Sequence, residues 1–118
     1  MTGGAERIEL TSETGDSIRC RVARTFWTRL KGLMGEPGLP PGEGLLIRPC
    51  NSIHMFFMRF AIDVVFLDRD LRILKSIRDL APGSLVGSIP GAFQVLEVAA
   101  GTLPESFCAG ASLVARAL

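Results

Sequence analysis

Pro49-Cys50-Asn51-Ser52-Ile53-His54-Met55-Phe56-Phe57-Met58-Arg59-Phe60-Ala61-Ile62-Asp63-Val64-Val65-Phe66-Leu67-Asp68 is the stretch on which the reading of the fold turns. From Phe56 to Leu67 it is dense in aromatic and β-branched residues, which pack well on a pleated surface and poorly in a helix. The run is long enough to be one bent or bulged strand, or two. Asp68-Arg69-Asp70 then reads as a turn, and Leu71 to Ile77 as the returning arm of a hairpin.

Working outward, short apolar runs separated by Gly and Pro continue on both sides. Val95 to Ala99 and Ser112 to Ala117 read as the last strands, and Leu45 to Arg48 as a short one before the central stretch. Ile8 to Thr11 and Ser17 to Ala23 flank a turn, Glu13-Thr14-Gly15-Asp16. In the second of these, Ile18, Cys20 and Val22 share one face, with Arg19 and Arg21 on the other. Thr25 is placed to cap a helix over Phe26 to Met34, ended by Gly35, with Phe26, Leu30 and Leu33 as its apolar stripe. Pro37 to Gly44 reads as a turn-rich loop. The class is therefore mainly β (α+β): a small antiparallel barrel-like single domain with one or two short helices. No βαβ alternation stands out, so a nucleotide-binding parallel sheet is not expected.

Bulk properties agree. At 118 residues the chain makes one domain, 1–118, and 47% hydrophobic content can fill its core without staples. Net charge is +1, which sets up no global field toward nucleic acid or membrane. Three cysteines, at positions 20, 50 and 108, form neither a disulfide framework nor a zinc-ribbon spacing, and reduced thiols point to the cytoplasm. The polar start, Met1 to Arg7, carries no signal-peptide core. The uncharged run from Leu80 to Leu96 is broken by Pro82, Gly83, Gly87, Pro90 and Gly91, so no membrane helix is expected. Phosphate-binding glycine loops and a Gly-x-Ser-x-Gly elbow are absent from the sequence.

The central stretch also concentrates groups with chemistry. Cys50, His54 and Met58 offer thiol, imidazole and thioether, a soft set of the kind that suits copper(I). They are equally the residues that fill cores. No second histidine and no close second cysteine complete a ligand set, so neither a metal nor another cofactor is expected. Cys50 and His54 could alternatively form a nucleophile pair. Asp63 and Glu97 each interrupt an apolar strand. They could form structural ion pairs, face solvent, or do acid–base work. Residues 17 to 35 hold Arg19, Arg21, Arg24, Arg29 and Lys31 and no acid, with Phe26 and Trp27 among them. Basic and aromatic side chains interleaved in this way grip single-stranded nucleic acid on small β domains, although a solvated strand face reads the same way.

Three pieces occur in order: Arg29-Leu30-Lys31-Gly32-Leu33-Met34, then Ile53 to Asp68, then Val95-Leu96-Glu97-Val98-Ala99-Ala100-Gly101. Together they resemble the domain-of-unknown-function 192 family of small prokaryotic proteins, over about residues 20 to 117. The resemblance implies a compact, mainly β domain with a short helix, and no established reaction. His54, Met58, Arg59, Asp63 and Glu97 stand at the family's motif positions. Two departures are visible. Asp70-Leu71 stands where the family often has a glycine, and Gly110-Ala111 where a Gly-Asp pair is usual.

Three functional readings follow. The first is a non-enzymatic binder of a small polar ligand or protein partner, acting through His54, Met58, Arg59, Asp63 and Glu97. It requires those side chains to converge. The second is RNA or single-stranded DNA binding through Arg19, Arg21, Arg24 and Trp27. The third is a hydrolase-like enzyme using Cys50 with His54, or Asp63 with Glu97.

Overall fold

The computed structural model describes residues 6–118, with the side chains of Phe26, Trp27 and Leu30 outside the description. The apolar stripe expected on the helix and the setting of the Trp27 ring fall on those side chains, apart from Leu33, which is buried.

The chain opens with a hairpin of β1 (Arg7–Thr11) and β2 (Ser17–Ala23), in register Ile8↔Cys20 and Leu10↔Ile18. The apolar members of both strands are buried and Arg19 is exposed, as the alternation dictates. Helix α1 (Phe26–Lys31) follows. Thr25 caps it by accepting from the Thr28 amide, while the Thr28 side chain accepts from the Thr25 amide. The helix ends at Gly32, three residues before the expected stop at Gly35. Gly32 takes φ +49 and ψ −127, a region open only to glycine.

The remaining strands are β3 (Glu43–Ile47), β4 (Ile53–His54), β5 (Ile62–Leu67), β6 (Ile73–Leu80), β7 (Leu85–Val86), β8 (Gln94–Ala99) and β9 (Val114–Ala117). Seven of them form one sheet in the order β6-β5-β8-β3-β2-β1-β9, and β4 pairs with β7 in a small second sheet. The fold is mainly β, with one short helix among the described residues. The sheet curls but does not close. Its two edges approach through the Arg72–Ser112 bridge and the Ile73 amide, which donates to the Ala111 carbonyl at 2.8 Å.

Two expectations need correction. The ladder is not wholly antiparallel: β2 and β3 pair in parallel, with α1 as the crossover between them. One βαβ unit is therefore present. Its strand–helix–strand order is legible in the sequence; the parallel pairing of β2 with β3 is not, because it is set by which strands become neighbours in the sheet. The central run also does not become strand from Phe56. Residues 55–60 form a turn in which Phe57 has φ +64, and ladder pairing starts at Ile62. Phe57 is 82% exposed, so its apolar character reports no burial. Strand β7 has no counterpart in the sequence reading; two residues between prolines and glycines are too few for a periodic signal.

Strands β3, β5 and β8 are covered on both faces, which is why they read as continuous apolar runs. Val65, Leu67, Leu96, Val98 and Leu46 point into one core with Leu10, Ile18 and Phe107. Val64, Phe66, Val95, Leu45 and Ile47 point into a second core with Leu33, Ile53 and Met55. The register Val64↔Glu97 and Asp63↔Val98 puts the two interrupting carboxylates on opposite faces of the sheet.

The turn after β5 shows what the missing glycine does. Asp68 Oδ1 accepts from the Asp70 and Arg72 amides at 2.9 Å each, and Leu71 takes φ +67. The position demands a left-handed conformation. A leucine holds it here because its side chain packs against the first core.

A cavity holding the candidate functional site

On the second-core side lies a cavity of about 250 Å³ between α1, the end of β3, the 50–58 segment and β8. Each of the three segments quoted above sends side chains into it: Arg29 and Met34 from the first, His54 and Met58 from the second, and Glu97 from the third. Cys50 joins them. Residues far apart in sequence meet here because β3 and β8 are sheet neighbours, with Leu45 opposite Glu97, and α1 sits over that part of the sheet.

Glu97 is the deepest polar group, 4% exposed. Among the described residues its carboxyl has no hydrogen-bond or ion-pair partner. Burial pushes its pKa up to about 8, and the negative charge of Glu36 adds to the shift. Its Oε1 borders the space left by the absent side chain of Gly32: a Cβ built there would lie 3.9 Å from Glu97 Oε1 and 3.9 Å from the Arg29 carbonyl oxygen. Two oxygen acceptors thus flank one small opening.

Arg29 donates from Nη1 to the Pro49 carbonyl at 3.2 Å, and its buried Nε has no partner among the described residues. The His54 ring stacks on Phe56, centroids 5.1 Å apart, and its Nδ1 is buried without a partner among the described residues. Cys50 Sγ donates to the Ser52 carbonyl at 3.0 Å, and burial raises its pKa. The thiol form is thereby favoured, whereas a nucleophile needs the thiolate. No group of three or more His, Cys, Asp and Glu side chains able to hold a metal ion occurs among the described residues.

Asp63 lies on the opposite face, fully buried. Its carboxylate accepts from the backbone amides of Asp79 (2.9 Å), Gly101 (3.0 Å) and Leu103 (3.2 Å), with Arg78 Nη1 at 3.8 Å. Asp79 has φ +56 and sits in the irregularity of β6 opposite Asp63, so this carboxylate fixes a bulge and a neighbouring turn. Arg59 is exposed, with Nη1 3.4 Å from the Gly35 carbonyl. Of the five residues named from the sequence, the cavity brings together His54, Met58 and Glu97, and leaves Arg59 and Asp63 outside.

In the basic segment each arginine of the nucleic-acid reading faces an acid: Arg19 with Glu9 (4.0 Å), Arg21 with Glu36 (3.3 Å) and Arg24 with Glu6 (2.6 Å). The carboxylates come from strand β1 and from residues 6 and 36, so the segment's excess charge is local to the sequence and matched in space. Sequence reasoning missed Arg29 and Gly32 as members of the cavity. Their signal was present in the Arg29-Leu30-Lys31-Gly32-Leu33-Met34 piece, which marked the family but gave no direction to its side chains.

No helix among the described residues is long and apolar enough to cross a membrane. The model of the DUF192 family, described as uncharacterised ACR proteins, matches residues 8–111. A UPF0127 protein from Thermococcus sibiricus is 41% identical over 66 residues, covering 51% of this chain and 43% of that protein, so the chain spans less than half of that relative's length. A crystal structure of a protein of unknown function from Novosphingobium aromaticivorans superposes with a TM-score of 0.78 at 22% identity, covering 92% of this chain and 83% of the other. A protein from Sinorhizobium meliloti 1021, provisionally named a transcription regulator, superposes with a TM-score of 0.77 at 21% identity, covering 97% and 94%. At these identities the two likenesses are of fold. With its family pattern matched over residues 8–111, the chain belongs to the DUF192 family of uncharacterised proteins.

Proposed function

We propose that this domain is a non-enzymatic binder of a small polar ligand, and that the ligand occupies the cavity over Glu97. The observation that carries this reading is a buried carboxyl with no partner among the described residues, facing open space. Two more polar atoms of the cavity, Arg29 Nε and His54 Nδ1, are buried without a partner among the described residues; each such atom costs about 1–3 kcal/mol, which a bound polar ligand can recover. The cavity volume is just below the roughly 300–1,000 Å³ range of drug-sized sites, which favours a metabolite-sized molecule. The Cys50 thiol, held neutral and committed to the Ser52 carbonyl, supports binding over cysteine catalysis. The three thiols are unpaired, in keeping with a reducing, cytoplasmic setting.

The test uses Cys50 as a reporter inside the cavity and the exposed Cys108 as an internal control. A library of small polar metabolites is screened for compounds that raise the melting temperature and slow iodoacetamide labelling of Cys50 but not of Cys108. Failure of every compound on both readouts would sink the proposal.

A further inference from the structure

The cavity is lined by an acid and a guanidinium that do not pair. Burial decreases from Glu97 through Arg29 to the exposed Lys31, so the acid lies deepest and the cations toward the mouth. Arg29 spends one donor on the Pro49 carbonyl, and no ion pair joins it to Glu97 among the described residues. Beside Glu97, the opening at Gly32 presents a second acceptor, the Arg29 carbonyl. The lining also includes the aliphatic side chains of Leu33, Ile47 and Ile53.

From this arrangement we infer that the cavity takes a small zwitterion with an aliphatic body, of the amino-acid kind. Its ammonium group sits at Glu97 and the Arg29 carbonyl, and its carboxylate at the Arg29 guanidinium. The inference rests on the ligand-binding reading and narrows it. A simple cation would meet the carboxyl but also the positive charge of Arg29 and Lys31. A simple anion would meet the guanidinium and the protonated Glu97 carboxyl but would offer no donor to the Arg29 carbonyl. A dipolar solute satisfies both ends with no net charge added.

Binding has a proton balance. The empty cavity holds Glu97 neutral at pH 7, because burial outweighs what its surroundings offer. Those surroundings are Arg29 and Lys31 on α1, Glu36 beyond it, and Cys50 and His54 on the facing segment. When a ligand ammonium docks, the Glu97 carboxyl gives its proton to solvent and becomes the carboxylate partner, while the ammonium keeps all of its protons. One proton is released per ligand bound at pH 7.

The test compares leucine with two molecules that each lack one feature, isoamylamine without the carboxylate and 4-methylvalerate without the amine, and with isoamyl alcohol, which lacks both charges. Amide chemical shifts of the whole chain are followed, with a library of neutral fragments run in parallel. Leucine is expected to shift the Gly32, His54 and Glu97 amides and to bind at least tenfold tighter than any of the other three. Glu97→Gln should weaken leucine and isoamylamine at least tenfold and leave 4-methylvalerate unchanged. Arg29→Met should weaken leucine and 4-methylvalerate at least tenfold and leave isoamylamine unweakened, with melting curves of both variants confirming the fold. Calorimetry of leucine in two buffers of different ionisation enthalpy should show the released proton. Equal binding by any single-feature analogue, or failure of Glu97→Gln to discriminate, overturns the zwitterion class. If neutral fragments shift those amides and none of the four test molecules does, the class falls and the binding reading stands. If nothing shifts them, both fall.

Discussion

Replacing Glu97 by glutamine removes an ionisation while keeping the size and hydrogen-bonding character of the protonated acid, so it isolates the cost of burying this carboxyl. In the folded chain the pKa is raised from 4.5 to about 8. Between those values the folded chain holds a proton that the unfolded chain has released, so wild-type stability falls as pH rises. The fall is complete once pH passes the folded value. Each pH unit in that window costs about 1.4 kcal/mol, which accumulates to about 3 kcal/mol at pH 7 and about 5 kcal/mol above pH 8. Against the roughly 5–15 kcal/mol total stability of a small domain, this is a large fraction. The measurement is guanidinium unfolding of wild type and Glu97→Gln at pH 5, 7 and 9. Groups common to both proteins cancel in the difference. The variant should stand within about 1 kcal/mol of wild type at pH 5, exceed it by about 3 kcal/mol at pH 7, and by more at pH 9. If the difference changes by less than about 1 kcal/mol from pH 5 to pH 9, the carboxyl is not desolvated as described and the reasoning fails.

Other perturbations separate the roles of neighbouring groups. Asp63→Ala strands three buried or half-buried backbone amides and should cost about 3 to 5 kcal/mol in chemical denaturation, and a loss under about 1 kcal/mol would refute its anchoring role. The thiols should react with Ellman's reagent in the order Cys108, Cys50, Cys20. Cys108 is exposed, and the Cys20 thiol, pushed up to about 12 by burial, should wait for unfolding. Early labelling of Cys20 would contradict the packing of the first core. Phe57→Gly should raise stability by about 1 kcal/mol, because the residue is exposed at φ +64 and gives up little packing for relief of a left-handed backbone. A clear drop in melting temperature would show that the ring has a packing role.

Much of the architecture is legible in one dimension. Alternation in β1 and β2 and the apolar runs of β3, β5 and β8 are short-range properties that survive folding. The Thr25 cap is equally local and stands where expected. What fails locally is informative. Phe56 and Phe57 are as apolar as the core strand that follows, and composition alone extends the strand through them. The structure turns the chain there and leaves both side chains exposed. The parallel β2–β3 pair is hidden for a different reason: the helix between the strands is legible, but the direction of pairing depends on which strands become sheet neighbours.

By itself, the sequence determined the class of fold, the family and the short list of polar residues that apolar packing does not explain. Only the tertiary structure decided which of them act together. Asp63 and Glu97 look alike in sequence, each a carboxylate inside an apolar strand. Strand register sends them to opposite faces of the sheet, and their fates diverge there. Asp63 meets three backbone amides and becomes a brace, while Glu97 meets a cavity and keeps its carboxyl uncommitted among the described residues. The physical reason is the two-residue period of a strand: on a sheet buried on both sides, the face a side chain takes is set by its pairing partners and not by its own chemistry.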